Sequence, residues 1–397
     1  MHYEVRAVGS GSGLRDFLRL PFAIYRGNPH WVPPMLAEVR RTLDTGKNPY
    51  FADASLDMFV CYGDGVPCAR AALVVSGAHC RKFNVRTGFF GFFESVDETA
   101  CSQKLFAEIE RRALERGVDT LEGPFNPNHY SELGLLADHY DEDQGFFEPY
   151  NPPYYHNLLR NSGFEAGETL FTGRREAIRE FMHERYGPPP GEEAAGEYAV
   201  RCFNLSRMNG DLEEVRGVFN DAFESNWHFI AATAAEHEFA AKYLRMITEP
   251  GLVTIVEHRG KPVGVLMCVL DVNPALRRMS GTAGPLKYFR FLRDRKTLRT
   301  LVVYAVGIRQ AYQGTRVFTL LLASMRRMEE RFDTLTCTWM HPANTLSVAT
   351  AARVGLEEHK HLLIYRKRLG REQPGQERLG QEHLGRERLG TAKGGTS

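Results

Sequence analysis

The same order of strand-like and helix-like segments occurs twice along the chain. In each half, a short alternating segment leads to an amphipathic helix, a hairpin, an apolar strand and a long helix. The matching segments are 3–6 and 198–201, 14–25 and 212–223, 58–75 and 253–270, 89–93 and 301–308, and 101–116 and 317–331. A repeat of this length indicates duplicated domains rather than a solenoid. Its element order predicts an α/β fold of two tandem domains, each with a mixed sheet covered by helices.

A segment rich in proline and glycine divides the chain almost in the middle. Residues 187–191 read Gly-Pro-Pro-Pro-Gly, which is typical of a linker. From residue 369 onwards, a five-residue repeat with almost no bulky apolar side chain predicts disorder. We therefore predict a first domain at 1–185, a linker at 186–197, a second domain at 198–369 and a disordered tail at 370–397.

Composition and charge narrow the class of protein. The 397 residues carry a formal net charge of +1, so no strong global field points to nucleic acid. The seven cysteines form no C-x-x-C pair, which favours a reducing compartment, and the histidines lack metal-ligand spacing with cysteine. The N-terminus shows no signal-peptide pattern, and the longest apolar run is too short to span a bilayer. We expect a cytoplasmic protein without a metal site, whose membrane contact, if any, is peripheral on the inner membrane.

The most informative stretch is the strand-to-helix turn of the second half. The apolar strand 301–308 runs into a polar turn at 310–316, and an amphipathic helix follows. A helix N-terminus exposes unpaired N–H groups and a partial positive charge, so it suits a pyrophosphate. Arg309 and Arg316 flank this turn and predict phosphate contacts. The alternative is an ordinary strand-to-helix turn that contains a glycine.

Two motifs of the second half resemble the GNAT superfamily. The family's phosphate loop is matched at Gln313, while Arg316 and Phe318 stand at its two later small positions. The family's last motif is matched in register by Asn344 and Gly355 together with a basic residue two positions before the glycine. The resemblance therefore identifies the second half as a GNAT domain with a modified phosphate loop.

This resemblance implies acyl-CoA as a co-substrate, with no bound cofactor. It places the pantetheine arm along 306–308 and the pyrophosphate on the turn that follows. Ala351 stands where many members carry the tyrosine that protonates the leaving thiolate, and the first half has no glycine between Glu94 and Lys104. A cofactor site is therefore expected only in the second half. The residues implied to bind acyl-CoA are Val306, Ile308, Gln313, Gly314, Thr315, Arg316 and Asn344.

Four further segments resemble a bacterial subgroup of tandem GNAT-like proteins that includes the ceramide synthases. They are NPHWVPP at 28–34, GFFGFFE at 88–94, GPFN at 123–126 and PYNPPYY at 149–155. The subgroup implies transfer of a fatty acyl group to the amine of a long-chain sphingoid base. Two alternatives stay open: an N-acetyltransferase for a small polar amine or protein, and a catalytically degenerate pair that acts as a binding or scaffold protein.

An insert before the central strand of the second half favours a lipid substrate. Residues 286–299 hold six basic residues and one acid, with Leu286, Phe289 and Leu292 at helical spacing. A basic amphipathic helix suits an anionic membrane surface, and the alternative is a helix packed on its own domain. The predicted partners are therefore acyl-CoA, a lipid amine acceptor and an anionic membrane surface, but not nucleic acid.

Amine acylation needs one group that takes the proton of the amine and another that protonates the leaving thiolate. Asp271 ends a central strand, and His228 follows a tryptophan in the second half. Glu132 follows the Gly-Pro pair of the first half, from which it can reach across the domain cleft. Tyr304 lies on the central strand and can replace the missing tyrosine. We predict these four as catalytic residues; the alternative for each is a structural or surface role.

Overall fold

The computed structural model describes residues 1–186 and 197–370. The predicted linker and tail lie outside these residues, apart from their end positions. The strands are β1 Tyr3–Ala7, β2 Ala54–Gly63, β3 Val66–Ser76, β4 Thr87–Ser95, β5 Thr120–Gly123, β6 Phe125–Asn126, β7 Glu132–Leu133, β8 Leu135–Leu136, β9 Glu165–Arg175, β10 Tyr198–Cys202, β11 Val253–His258, β12 Lys261–Leu270, β13 Thr300–Ile308, β14 Thr334–Met340 and β15 Glu357–Arg368. The helices are α1 Ser12–Ile24, α2 Leu36–Thr42, α3 Gly77–Phe83, α4 Thr99–Glu115, α5 Tyr155–Asn161, α6 Ile178–Tyr186, α7 Met208–Ala222, α8 Ala234–Ile247, α9 Asn273–Met279, α10 Pro285–Asp294, α11 Val317–Arg326 and α12 Thr345–Arg353.

One mixed sheet runs through both halves. Its strand order is β1-β2-β3-β4-β5-β15-β9-β14-β13-β12-β11-β10, with the short β8 paired to β15. Neighbouring strands are antiparallel except for the pairs β4–β5 and β13–β14, which are parallel. Helices α1 and α4 pack on β3, and their counterparts α7 and α11 pack on β12. The predicted α/β fold with mixed sheets is confirmed.

The final strand of each half is hydrogen-bonded to the other half. Strand β9 from the first half pairs with β14 of the second half, with Leu335 opposite Arg175. Strand β15 from the second half pairs with β5 of the first half, with Tyr365 opposite Gly123. The predicted division into domains at 1–185 and 198–369 stays a prediction, and these pairings cross it. They tie the two halves into one sheet.

Apolar spacing determines which face of each helix is buried. In α4, the fully buried Cys101, Leu105, Ile109 and Ala113 recur every four residues and face the core of the first half. In the second half, α11 ends at Arg326, five residues earlier than predicted. Beyond it the backbone tightens, since the N–H of Met328 bonds to the carbonyl three residues before it.

Within residues 1–186 and 197–370, no helix combines the length and apolar character that a membrane span requires.

Candidate active site

The two central strands of the second half separate and leave a slot. Strands β13 and β14 are paired only as far as Val303 and Cys337. At the next residue β13 bulges: Val303 and Ala305 pair with consecutive residues of β12, so Tyr304 has no partner there. Past this bulge the facing parts of the two strands line a cavity. The edge of 305–308 can therefore pair with an extended ligand, as the resemblance implied for pantetheine.

The turn after β13 forms one end of this cavity. Gln313, Gly314 and Thr315 line it, and α11 begins directly behind them. Gly314 has a φ of 75°, a left-handed conformation that favours glycine. Arg316 is exposed, with its guanidinium 5.8 Å from the centre of the Tyr198 ring, and it does not line the cavity.

Arg309, the other predicted phosphate contact, is held by the protein itself. Its Nε donates to the carbonyl of Pro262 at 2.8 Å, and its guanidinium lies 3.6 Å from the carboxylate of Asp221. These partners belong to the second half, so Arg309 holds the start of the turn in place. Of the two arginines, Arg316 is the more accessible to a phosphate.

Helix α12 forms the opposite wall of the slot. Its cap, Asn344, accepts a hydrogen bond from the backbone N–H of Ser347 at 3.1 Å, and both residues line the cavity. Val306 and Ile308 of β13 also line it, as does Ala351 one turn further along the helix. The predicted acyl-CoA residues thus surround one end of the cavity, except for Arg316.

The equivalent slot in the first half is filled by the chain itself. Strands β4 and β5 pair only as far as Phe89 and Glu122, after which β5 continues into β6. The backbone carbonyl of Phe125 lies so close to Gly91 that a Cβ there would stand 1.8 Å from it. The N–H of Phe92 donates to the side chain of Asn126 at 2.6 Å. Residues 125–126 therefore occupy the position that is open in the second half.

One cavity of about 1290 Å³ extends from the second-half slot into the first half. This volume exceeds the roughly 300–1,000 Å³ of ordinary small-ligand sites. Both halves contribute apolar side chains to its walls, including Val32, Met35, Phe147, Phe239, Tyr243 and Leu276. The cavity is therefore large enough for a long aliphatic substrate in addition to the acyl donor.

Glu132 lies in the wall that the first half contributes. It belongs to β7, which pairs with β6 so that Glu132 stands opposite Asn126. Burial raises the pKa of Glu132 to about 7, although a hydrogen bond from the Asn126 side chain acts in the opposite direction. At neutral pH this carboxyl exists in both protonation states, so it can accept a proton from a substrate.

Tyr304 approaches the same region from the second half. Its hydroxyl donates to the carbonyl of Tyr130 at 3.4 Å, and its ring centre lies 5.1 Å from that of Phe147. Burial raises the pKa of Tyr304 to about 12, so its hydroxyl keeps its proton at neutral pH. Because Tyr130 is two residues before Glu132, this contact brings a proton donor and a proton acceptor from different halves to one region.

The other two predicted catalytic residues lie elsewhere. His228 is in a hydrogen-bond chain between the halves, with its Nδ1 2.7 Å from His79 and its Nε2 2.8 Å from Glu122. Asp271 accepts a hydrogen bond from the N–H of Asn273 at 3.0 Å, and burial raises its pKa to about 6. Among the residues that the structure describes, the cavity lining includes neither His228 nor Asp271.

Sequence reasoning missed a buried ion pair in the wall of the cavity. The guanidinium of Arg70 lies 3.6 Å from the carboxylate of Glu94, which also accepts hydrogen bonds from the hydroxyls of Tyr25 and Tyr155. Burial raises the pKa of Glu94, against the opposite effect of Arg70. The sequence does contain a signal for this pair, since Arg70 and Glu94 are each a charged residue within an otherwise apolar strand.

Solved structures show the class of fold. A tandem GNAT protein from the clavulanic acid biosynthesis pathway matches 94% of this chain and 100% of its own, with 12% identity and a TM-score of 0.56. A probable N-acyltransferase from Enterococcus faecalis V583 matches 93% of this chain and 73% of its own, with 8% identity and a TM-score of 0.52. The chain has the tandem GNAT fold, which confirms the resemblance predicted from its motifs.

Two proteins are similar to this chain in sequence. The chain is 25% identical over 383 residues to Protein YghO of Escherichia coli K12, across 92% of this chain and 95% of that protein. It is 25% identical over 380 residues to the bacterial ceramide synthase of Caulobacter vibrioides, across 92% of this chain and 97% of that protein. No family model matches the chain. The similarity to both relatives extends over nearly their full lengths.

Proposed function

We propose that this protein is an acyl-CoA-dependent N-acyltransferase that transfers a fatty acyl group to the amine of a long-chain base. The observation that carries the proposal is the single cavity that joins the slot between β13 and β14 to Glu132 in the first half. Such a cavity lets a donor enter from one half and an acceptor from the other, with the reacting atoms meeting between them. The name of the Caulobacter relative supports the same reaction class.

In this mechanism each half supplies one proton-transfer group. Glu132 takes a proton from the ammonium of the acceptor, and the free amine attacks the thioester carbonyl. The nitrogen of the tetrahedral adduct releases its second proton to solvent, the carbon–sulfur bond breaks, and the hydroxyl of Tyr304 donates its proton to the leaving thiolate. Tyr304 regains a proton from solvent when the products leave, and Glu132 releases its own. This proposal does not use Asp271 or His228, because neither lines the cavity.

A lipid acceptor is supported by the size and lining of the cavity. A small polar amine needs neither about 1290 Å³ nor the aliphatic and aromatic walls that both halves contribute. Burial of an alkyl chain contributes roughly 0.8 kcal/mol for each CH₂ group, so a long chain can supply most of the binding energy. We infer that the acceptor is an amine with a long apolar chain.

A substrate panel tests this proposal. Purified protein is given acetyl-CoA or palmitoyl-CoA together with sphinganine or spermidine, and amide formation is followed by mass spectrometry. We expect turnover with palmitoyl-CoA and sphinganine and little with spermidine. Acetyl transfer to spermidine alone would instead support the acetyltransferase alternative. Failure to bind either acyl-CoA in calorimetry would support the scaffold alternative.

The proposal extends to the membrane, from which such an acceptor must come. Helix α10 leaves four large apolar side chains exposed: Leu286 at 70%, Tyr288 at 49%, Phe289 at 68% and Leu292 at 40%. Arg290, Arg293 and Lys296 are exposed beside them. Exposed apolar groups with basic neighbours suit an anionic bilayer surface.

The loop that precedes helix α10 lies beside the cavity. The carbonyl of Gly281, in the loop before α10, accepts a hydrogen bond from the N–H of Leu36 at 3.0 Å. The neighbouring residues Pro34 and Met35 line the cavity. Arg295, by contrast, points inward, since it donates to the carbonyl of Thr248 at 2.7 Å. Arg295 is therefore not counted among the residues that contact a bilayer.

Vesicle sedimentation tests the membrane contact. We expect binding to vesicles that contain phosphatidylglycerol, little binding to pure phosphatidylcholine, and weakening by salt. Each basic residue contributes about 1 kcal/mol near such a surface, so the double variant Arg290→Gln/Arg293→Gln should bind about thirtyfold more weakly. Arg179→Gln/Arg185→Gln, which removes two exposed charges from α6, is the matched control. Equal binding of both double variants would contradict a role for α10.

A further inference from the structure

Two histidines and a glutamate converge on one point where the loop after β8 meets β15. The ligand atoms of His139, Glu142 and His359 all lie within 4.8 Å of one another. The Nε2 of His359 is 3.0 Å from the carboxylate of Glu142, and the Nε2 of His139 is 4.0 Å from it. None of these residues belongs to the site described above, and none lines its cavity.

The surroundings suit a divalent cation. The Nδ1 of His139 lies 2.9 Å from the carboxylate of Asp138, which leaves its Nε2 directed at the other two ligands. The carboxylate of Asp138 adds negative charge beside the ring, while the Nδ1 of His139 itself forms no hydrogen bond within the described residues.

We propose that His139, Glu142 and His359 form a zinc site that joins the loop to the sheet. Three ligands of this kind, with water in the fourth position, match the tetrahedral preference of Zn²⁺. The expectation of no metal site rested on spacing between histidine and cysteine, whereas this cluster uses carboxylate and joins residues more than 200 positions apart in the sequence.

The position of the site indicates a structural role. The same loop continues into Gln144, Gly145, Phe146 and Phe147, which line the cavity. Strand β15 beside it supplies Lys360, whose ammonium donates to the carbonyl of Asp143 at 2.7 Å and pairs with Glu148 at 3.0 Å. A metal ion at 139, 142 and 359 would therefore fix the start of the loop that walls the cavity.

Zinc binding to the full-length, tag-free protein tests this inference. After chelator treatment, we expect the wild type to bind one equivalent of Zn²⁺ and to unfold at a higher temperature when loaded. Glu142→Gln and His359→Ala should each weaken binding at least about tenfold. The control His183→Ala, on α6, should bind like the wild type. Circular dichroism of each apo variant checks that it has folded.

Cobalt substitution identifies the ligands independently of the variants. We expect visible bands of a nitrogen- and oxygen-coordinated Co²⁺ without strong thiolate charge-transfer absorption. Strong thiolate absorption would assign the metal to the buried group Cys61, Cys68 and Cys101 and overturn the proposal. The absence of zinc binding by the wild type, or wild-type affinity in a folded His139→Ala/His359→Ala variant, would overturn it as well.

Discussion

Glu132→Gln should lower kcat for amide formation by about 10²–10⁴, the usual contribution of a positioned general base. The substitution keeps the size of the side chain and its place opposite Asn126, but it cannot take a proton from the acceptor. Steady-state kinetics with palmitoyl-CoA and sphinganine measures the effect. Affinity for acyl-CoA, measured by calorimetry, should not change, because the predicted donor residues lie in the other half.

The pH dependence separates a general base from a residue that only shapes the cavity. Because burial raises the pKa of Glu132 to about 7, kcat/KM of the wild type should rise through pH 7 and level off above it. Glu132→Gln should lose this rise. Tyr304→Phe, which removes only the proposed proton donor, should be slower than the wild type but keep the rise. An unchanged profile in Glu132→Gln would mean that Glu132 is not the general base.

As the pH rises, the contribution of Glu132 to the stability of the fold should decrease, whereas its contribution to activity should increase. The pKa of Glu132 is raised in the folded state, so its contribution to stability is complete below pH 4.5 and is lost as the pH rises through about 7. The glutamine of Glu132→Gln does not ionise, so the variant should not lose stability as the pH rises. We expect the variant to match the wild type in thermal unfolding near pH 4.5 and to unfold at a higher temperature at pH 8. A residue whose ionised form is stabilised by the fold would show the reverse.

Gly91→Ala should destabilise the protein by about 3 kcal/mol or more, a large effect for the addition of one methyl group. The new Cβ would meet the carbonyl oxygen of Phe125 at 1.8 Å and its carbonyl carbon at 2.8 Å. Both are backbone atoms, so no side-chain rotation relieves the clash. The midpoint of thermal unfolding, compared with that of the wild type, measures the loss.

The same substitution should also reduce activity. If the variant folds, residues 125–126 must move away from β4, and β7, which pairs with them and carries Glu132, should move too. Gly251→Ala is the control, because a Cβ at that position meets nothing within 4 Å. Wild-type stability and kcat in Gly91→Ala would mean that residues 125–126 do not fill the first-half slot.

Much of the acyl-CoA end of the site could be predicted from the sequence because its signals are local. A strand, a turn with Gln313 and Gly314, and a following helix are adjacent in the chain, and Asn344 opens the next helix in the same half. The arrangement of the strand, the turn and the first helix depends on a single strand–helix connection. A short sequence motif is therefore enough to indicate this arrangement. The role of each residue in binding stays a prediction.

The acceptor end could not be predicted in the same way. Glu132 and Tyr304 are 172 positions apart, and each was one of several acidic or phenolic residues without a distinguishing motif. Only the packing of the two halves brings Tyr304 to the carbonyl of Tyr130, and only burial raises the pKa of Glu132 to about 7. Burial and distance across a domain interface leave little trace in local sequence.

The sequence by itself determined the elements and their duplication, because the periodicity of apolar residues sets which face of each helix or strand is buried. Tertiary structure alone decided that β9 and β15 pair with the opposite halves. Because the halves are duplicated, each final strand could pair with a sheet edge in either half. The alternation of apolar and polar side chains along the strand is equally compatible with both edges. The choice depends on long-range backbone pairing and packing, which also closed one slot with residues 125–126 and left the other open.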